Sequence, residues 1–325
     1  MADVLYIVVP CYKEEAVLPE TSKRLKAKLL SLIESGKINP ASKIMFVNDG
    51  STDKTWSIIQ ELHKSNEMFS GVNLSRNRGH QNALLAGITT AVNYADIIVS
   101  MDADLQDDVD AVDKMVDSYH NGFDVVYGVR SSRKKDTRFK RFTAEGFYKF
   151  MKMLGVDIVF NHADYRLMSR RATEGLLQFG EVNLFLRGIV PQIGYPWTTV
   201  EYERSERFAG ESKYPLKKMI AFAFDGITSF SVTPIRFIFK LGLVVFLASI
   251  VALIWSLFAK FLGYTVSGWT SLVCSIWMIG GIQLLSLGII GEYIGKIYNE
   301  TKRRPRFIIE SIINDGKPIK DEHKI

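Results

Sequence analysis

Two long stretches without charge constrain the fold of this chain more than any other feature. No charged side chain occurs in residues 241–259 or in residues 262–291. A helix needs about 20 predominantly apolar residues to cross the hydrocarbon core of a bilayer. A pair of buried core helices is the alternative, but core helices of this length usually keep one polar face. We therefore expect two transmembrane helices, forming a hairpin, within residues 234–291.

The basic residues around these stretches predict an orientation. Lys260 is the only basic residue between the two stretches. Basic side chains cluster before the first stretch and after the second: Lys213, Lys217, Lys218, Arg236, Lys240, Lys296, Lys302, Arg303, Arg304 and Arg306. Positive charge favours the cytoplasmic side, so we expect both termini to be cytoplasmic and the chain to lie in the plasma membrane. Residues 214–233 combine apolar side chains with Lys217 and Lys218, which favours an interfacial amphipathic helix. An ordinary domain helix is the alternative.

The net charge and the cysteines add weaker limits. A formal charge of +6 fits anionic partners in general. Because the excess lies beside the uncharged stretches, we expect contact with a lipid bilayer and not with nucleic acid. The two cysteines, Cys11 and Cys274, are too few for a disulfide framework, which favours a reducing compartment.

Residues 1–213 predict a cytoplasmic α/β domain. Short Val- and Ile-rich runs at 5–10, 43–49, 71–75, 97–102 and 124–128 are typical of strands. Helical patterns at 15–34, 52–64, 81–93 and 110–119 alternate with them, and residues 51–53 offer N-cap side chains for the second helix. This alternation predicts a mostly parallel sheet covered by helices. In such sheets ligands bind at the carboxyl ends of the strands.

The segment that follows the fourth predicted strand is rich in carboxylates. Asp102 and Asp104 are two residues apart, which would place them on one face of a strand. Oxygen ligands at a strand end suit Mg²⁺ or Mn²⁺ bridged to a diphosphate, and Gln106 continues the spacing. A solvated acidic turn is the alternative. A second polar segment, residues 48–53, contains Asp49, which could accept hydrogen bonds from a base or a ribose, or could simply belong to a tight turn at Gly50.

Four segments in this order resemble glycosyltransferase family 2: residues 9–14, 48–53, 74–79 and 102–106. Together with the two uncharged stretches they resemble the polyprenyl-phosphate glycosyltransferases, a group that includes bactoprenol glucosyltransferases and dolichol-phosphate mannose synthases. The resemblance implies a GT-A-type nucleotide-binding fold. It also implies inverting transfer of a sugar from a nucleotide-sugar, with UDP as the expected nucleotide, to polyprenyl phosphate.

The resemblance also implies roles for individual residues. The nucleotide-sugar would contact Pro10, Tyr12, Glu14, Asp49, Arg76, Asp102 and Lys213. Asp102, Asp104 and Gln106 would hold Mg²⁺ or Mn²⁺. Asp164, in the segment 164–168, would face the reacting centre; a turn at the start of a strand is the alternative. Arg207, in the segment 207–214, would neutralise the leaving diphosphate. Arg130 and Arg141 are candidates for the acceptor phosphate, although residues 130–141 could equally form a solvated basic face.

The acceptor makes a strong base unnecessary. The second pKa of a phosphate monoester is about 6, so a polyprenyl phosphate is already largely a dianion at pH 7. Two anionic substrates need cations to bring them together. We therefore expect Asp164 to orient a substrate group or to support an arginine. The alternative is that Asp164 acts as a base.

Several functional alternatives stay open. The chain could be an inactive membrane-tethered scaffold that binds a nucleotide-sugar. A processive polysaccharide synthase would be expected to have more spans and a Gln-x-x-Arg-Trp segment, which the sequence lacks. The donor sugar, for which glucose, N-acetylglucosamine, mannose and aminoarabinose are candidates, is not specified. The cytoplasmic tail 292–325 includes residues 307–310, which could add a strand elsewhere, so a homo-oligomer is compatible with the sequence.

Overall fold

The structure is a computed structural model that describes residues 2–130, 162–181, 186–203, 269–316 and 318, with single residues between 235 and 251. The site predictions for Arg141, Arg207 and Lys213 lie outside the described residues. The expected interfacial helix 214–233 does so as well, together with most of the first expected span.

Strands and helices alternate along the first 130 residues, as the sequence predicts. The strands are β1 (Leu5–Cys11), β2 (Lys43–Asn48), β3 (Phe69–Leu74), β4 (Ile97–Ser100), β5 (Val125–Arg130), β6 (His162–Ser169), β7 (Trp197–Tyr202) and β8 (Ile309–Ile313). The helices are α1 (Leu18–Glu34), α2 (Thr55–Ser65), α3 (His80–Ala91), α4 (Ala111–His120), α5 (Arg170–Leu177), α6 (Leu186–Ile189) and α7 (Trp269–Thr301), with a 3₁₀ turn at Val190–Ile193.

The strands form one eight-stranded sheet in the order β7-β5-β6-β4-β1-β2-β3-β8. The pairs β1–β2, β1–β4, β2–β3 and β5–β7 are parallel. Strand β6 is antiparallel to both β4 and β5, and β8 is antiparallel to β3. Six strands therefore point the same way, which confirms the predicted mostly parallel α/β sheet. Their carboxyl ends meet at one edge of the sheet.

The core follows from the amphipathic helices on the two faces of this sheet. Helix α1 buries one stripe of aliphatic side chains at helical spacing: Leu18, Leu25, Leu29 and Leu32. Each such side chain contributes about 1.5–3 kcal/mol relative to exposure. Helix α3 packs closely on β1 and β2 at Gly87. Any side chain at this position would collide with Val8 and Val47. This close contact fixes the N-terminal end of α3 beside the carboxyl ends of the strands.

Two local predictions are wrong. Helix α2 begins at Thr55, not at residue 52, because Asp53 accepts hydrogen bonds from the Thr55 N–H (3.2 Å) and Oγ1 (2.7 Å) and closes the preceding turn. Strand β4 ends at Ser100, so Asp102 and Asp104 do not share a strand face. They lie in the turn that follows, where Leu105 has a positive φ of 56°.

The C-terminal segment belongs to the sheet. Strand β8 pairs with β3 of the same chain, from Gly71↔Ile313 to Leu74↔Ile309, and the Ser75 N–H donates to the carbonyl of Ile308 (3.0 Å). The tail was expected to add a strand elsewhere, and the structure pairs that strand with β3 of the same chain. The expectation of a homo-oligomer loses this support.

The chain divides into two compact units. The first comprises Met1–Tyr148, Asp157–Tyr214 and Arg304–Ile325, and the second Lys149–Val156 and Pro215–Arg303. Helix α7 belongs to the second unit and carries many exposed apolar side chains, among them Leu272, Ile276, Leu284, Leu287 and Ile294. In the part of the chain that the structure describes, no helix combines the length and the apolarity that crossing a bilayer requires.

Candidate active site

The residues singled out by the sequence meet at the carboxyl edge of the sheet. Tyr12 follows β1, Asp49 follows β2, Arg76 follows β3, and Asp102 follows β4. Strand β6 runs the opposite way and starts at this edge, which brings Asp164 near its beginning to the same place. The parallel topology, and not local sequence, is what gathers these side chains.

Asp49 stabilises the loop that leads into α3. Its side chain is buried, and its two carboxylate oxygens accept hydrogen bonds from the backbone N–H groups of Arg78 (2.7 Å) and Gly79 (2.9 Å). Gly50 has a φ of +60°, and a Cβ there would collide with the backbone of Arg76. The tight-turn interpretation of this segment therefore holds. A contact between Asp49 and a nucleoside stays a prediction.

The loop after β1 is fixed by α2 and the turn before it. Pro10 is buried within β1, and Tyr12 lies beyond the strand with 44% of its surface exposed. The N–H of Lys13 donates to Ser51 Oγ (3.0 Å), and the N–H of Glu14 donates to Thr55 Oγ1 (3.0 Å). The exposed Tyr12 ring therefore lies on a loop whose next two residues are hydrogen-bonded to the rest of the domain, and its predicted contact with the nucleotide-sugar stays a prediction.

Asp102 and Asp104 lie in a turn with internal restraints. The Asp104 carboxylate accepts a hydrogen bond from the N–H of Gln106 (3.2 Å), and Thr21 Oγ1 donates to the Ala103 carbonyl (2.8 Å). The side chain of Asp102 is 41% exposed. The turn thus presents the Asp102 carboxylate to solvent at the strand end while its backbone is tied to α1.

His80, the first residue of α3, lies between two carboxylates. Its Nε2 is 3.4 Å from Asp102 Oδ1 and 3.9 Å from Asp164 Oδ2. Partial burial raises the pKa of Asp102 to about 6, the carboxylates of Asp107, Asp164 and Asp104 add to the rise, and His80 opposes it. This excess of negative charge is what a cation bound at the turn would relieve.

The donor set fits a divalent cation shared with a substrate. Among the described residues, no group of three His, Cys, Asp or Glu side chains forms a complete metal site. Mg²⁺ usually takes one or two carboxylates and completes its shell with water and substrate phosphates. The carboxylates of Asp102 and Asp104 meet that requirement.

Asp164 is held by two arginines. Its carboxylate is 12% exposed and contacts Arg187 through Nε (3.3 Å) and Nη2 (3.1 Å), and Arg166 through Nη2 (3.4 Å). Burial tends to raise the pKa of Asp164, but Arg187 and Arg166 outweigh it and hold the pKa well below its usual range. Ser100 Oγ donates to the Asp164 carbonyl (2.6 Å). Asp164 is therefore a fixed, ionised carboxylate.

Arg166 is fully enclosed in the sheet. It is 0% exposed, and its Nε and Nη1 have no hydrogen-bond partner among the described residues. A buried charge without full pairing is costly, so its contact with Asp164 is a strong constraint on both side chains. Helix α6, which carries Arg187, is itself held by a hydrogen bond from the Leu186 N–H to Gln81 Oε1 (3.0 Å).

Arg130, at the end of β5, is connected to the acidic turn. Its Nε donates to the Tyr202 hydroxyl (3.4 Å), and that hydroxyl donates to Asp107 Oδ1 (2.5 Å). Arg130 therefore lies at the expected edge, and no contact in the described structure tests its predicted role toward an acceptor.

His80, Arg187 and Tyr202 were missed by sequence reasoning. His80 directly follows Gly79, the last residue of the third family-like segment, so its position was the one available signal. Arg187 and Tyr202 reach the site only through the tertiary fold. Arg166 lies within the segment 164–168, but its burial is invisible in the sequence.

Comparisons with known proteins match both parts of the chain. Residues 6–177 match the family described as Glycosyl transferase family 2, and residues 233–297 match the GtrB C-terminal hairpin. The uncharacterized glycosyltransferase YkoT of Bacillus subtilis is 54% identical over 94% of this chain and 91% of its own.

Two further relatives carry functional names. The prophage bactoprenol glucosyl transferase homolog of Escherichia coli is 38% identical over 94% of this chain and 98% of its own. The bactoprenol glucosyl transferase of Shigella phage SfX is 38% identical with the same coverage of both chains.

Proposed function

The chain belongs to glycosyl transferase family 2, and from this premise we propose that it transfers a sugar from a nucleotide-sugar to polyprenyl phosphate. The nearly full-length similarity to proteins named bactoprenol glucosyl transferases supports this acceptor and favours glucose. UDP is the nucleotide that we propose for the donor. The product would be a lipid-linked monosaccharide used to modify a cell-envelope glycan.

The arrangement around Asp164 is the observation that carries the proposal. Two arginines, Arg166 and Arg187, lie beside a carboxylate that is close to the Asp102 turn. A reaction between a diphosphate ester and a phosphate dianion brings together two anions. A fixed cation at the reacting centre lowers the cost of that encounter and orients the groups. The partly exposed Arg187 can take that role, while the enclosed Arg166 holds Asp164 in place.

The reaction needs no general base. An oxygen of the acceptor phosphate forms a bond to the anomeric carbon, and the bond from that carbon to the donor diphosphate breaks on the opposite face, which inverts the configuration. Because the acceptor is already ionised at pH 7, no proton is transferred. Asp164, whose pKa is held low by its arginines, would orient Arg187 and a substrate hydroxyl.

Asp102, Asp104 and Gln106 would hold Mg²⁺ or Mn²⁺ at the turn after β4. When bound, the cation supplies neutralisation of the charge that develops on the leaving diphosphate. The exposed carboxylate of Asp102 and the surplus of negative charge around it support this assignment.

The acceptor also requires a membrane. We place two transmembrane helices within residues 234–291, an interfacial helix at 214–233, and both termini in the cytoplasm. The match to the GtrB C-terminal hairpin, the uncharged stretches and the flanking basic residues support this placement. It puts the α/β domain on the side of the plasma membrane where nucleotide-sugars occur.

Purified full-length protein tests the proposal. It would be incubated with undecaprenyl phosphate, Mn²⁺ and a panel of nucleotide-sugars, and the extracted lipids would be weighed by mass spectrometry. We expect one donor, UDP-glucose first, to give a lipid heavier by one hexose. Metal-dependent donor hydrolysis with no lipid product would contradict the proposal and favour a nucleotide-sugar-binding scaffold.

A further inference from the structure

A buried polar path joins two parts of the candidate site that lie on different strands. Arg130 and Tyr202 are register partners at the ends of the parallel strands β5 and β7. The Arg130 Nε donates to the Tyr202 hydroxyl (3.4 Å), which donates to Asp107 Oδ1 (2.5 Å). Asp107 lies three residues after Asp104 in the same acidic segment. The polar path therefore runs from Arg130 through Tyr202 to the acidic turn.

The centre of this path is shielded from water. Tyr202 and Asp107 are each 3% exposed, and the Tyr202 ring packs edge-on against Tyr165 with centroids 5.2 Å apart. Burial and the charge of Asp107 raise the pKa of Tyr202 well above its usual range, so its hydroxyl stays protonated and acts as a donor. A hydrogen bond to a buried carboxylate is among the stronger ones in proteins.

We propose that Tyr202 is a positioning residue that couples Arg130, on the acceptor side, to the turn that holds the cation and the donor diphosphate. The inference rests on the proposed function. By fixing the two sides relative to each other, Tyr202 sets the distance between the acceptor phosphate and the anomeric carbon. In-line transfer depends strongly on that distance, since a misplacement of about 1 Å can cost about 100-fold in rate.

Tyr202→Phe is the direct variant, because it keeps the ring and its packing and removes only the hydroxyl. Tyr165→Phe is the matched control. It also removes a buried tyrosine hydroxyl that bonds the acidic turn, here at the Asp108 carbonyl (2.9 Å). The Tyr165 hydroxyl donates to Asp108 and the Tyr202 hydroxyl donates to Asp107, so Tyr202→Phe is the variant that removes the link between Arg130 and Asp107.

Equilibrium binding measures the coupling without any turnover. The affinity of the full-length protein for farnesyl phosphate, a short acceptor analogue, would be measured by calorimetry with and without Mn²⁺ and UDP. Two coupled sites change each other's affinity by a common factor. We expect a factor of about five in the wild type and in Tyr165→Phe, and a factor near one in Tyr202→Phe.

Kinetics give a second readout. We expect Tyr202→Phe to raise the KM for undecaprenyl phosphate about tenfold, as for loss of one hydrogen bond to a charged group. Tyr165→Phe should leave that KM unchanged. Arg130→Lys should raise the KM for undecaprenyl phosphate when Tyr202 is present. In the Tyr202→Phe background the same substitution should raise this KM little further, because the path is already broken.

Three results would overturn the inference: a coupling factor of one in the wild type, the same factor in Tyr202→Phe as in the wild type, or equal KM changes in both tyrosine variants. Its failure is distinguishable from failure of the proposed function. A wild-type protein that binds both ligands with coupling but transfers no sugar to undecaprenyl phosphate would contradict the function and leave the coupling in place.

Discussion

At the residue scale, the chemistry depends on how charges are paired around Asp164. Two arginines hold its carboxylate, and one of them, Arg166, is completely enclosed. A carboxylate with so low a proton affinity is a poor base. The same contacts make it a good support for Arg187, which keeps 34% of its side-chain surface exposed. The geometry thus favours orientation over proton abstraction.

The pH dependence of Asp164→Asn tests this assignment. As pH falls below about 6, the acceptor phosphate gains a proton, so kcat/KM should fall on the acidic side in the wild type. The amide of Asn keeps one hydrogen-bond acceptor, so we expect Asp164→Asn to retain residual activity. The kcat/KM of this variant should fall at acidic pH in the same way as that of the wild type. General-base assistance is worth about 10²–10⁴-fold, so the size of the loss does not discriminate. If kcat/KM fell at acidic pH in the wild type but not in Asp164→Asn, that fall would be caused by protonation of Asp164.

Asp102 could produce a limb in the same range, since its pKa is raised to about 6. Protons and a cation compete for that carboxylate. A limb caused by Asp102 should therefore move to lower pH as Mn²⁺ is increased, whereas a limb caused by the acceptor phosphate should not.

The residue scale is where sequence reasoning was least complete. Asp102, Asp104 and Asp49 were found because each follows an apolar strand. The contacts of His80 with Asp102, and of Arg187 with Asp164, span 22 and 23 positions along the chain. Pairings of that kind depend on how α3 and α6 pack, which no local pattern encodes.

At the element scale, the sheet explains both the successes and the errors of prediction. Val- and Ile-rich runs placed β1 to β5 within a few residues, because buried parallel strands are continuous apolar segments. The end of β4 was placed too late, since Met101 is apolar although it has left the strand. The pairing of β8 with β3 was not predicted, and the segment that contains β8 was described as a tail. This pairing joins residues more than 230 positions apart, which no local pattern indicates.

The pair Asp124–Arg171 should stabilise the N-terminal edge of the sheet in a pH-dependent way. Burial tends to raise the pKa of Asp124, but hydrogen bonds from Arg171 and Ser169 outweigh it and lower the pKa. A lowered folded-state pKa means that the stabilisation is present above the unfolded value of about 3.9. It is lost as pH falls through the folded value.

Asp124→Asn should therefore be less stable than the wild type at pH 7, because the variant loses the charged hydrogen bonds from Arg171. The exposure of Arg171 screens the pair and keeps the difference small. Thermal unfolding would be followed from pH 7 down to pH 3, and the difference should shrink at the acidic end. Asp117→Asn, which affects an exposed pair with Lys37, is the control and should change little. A difference independent of pH would contradict the assignment.

At the scale of the whole molecule, the proposed function requires an α/β unit and a membrane hairpin in one chain. The family matches cover residues 6–177 and 233–297, and the basic residues that flank the uncharged stretches predict the orientation. The proposed function needs this arrangement, because a water-soluble donor and a lipid acceptor must reach one site.

Cysteine labelling tests the orientation. Single cysteines would be introduced as Ser267→Cys and Lys324→Cys in a background with Cys11→Ala and Cys274→Ala. An impermeant maleimide should label the first in intact cells and the second only after permeabilisation. A tail labelled from outside would contradict both the number of spans and the compartment of the site.

The rate of sugar transfer to undecaprenyl phosphate in three matched proteins tests the central claim most directly. Wild type, Asp104→Asn and Asp110→Asn would be compared with Mn²⁺ and with excess chelator. A cation contributes several kcal/mol to stabilising the leaving group, so Asp104→Asn should lose about 100-fold or more. Asp110→Asn, whose side chain is 80% exposed, should remain near the wild-type rate. Full activity in Asp104→Asn or in chelator would contradict a cation-assisted transfer at this edge of the sheet.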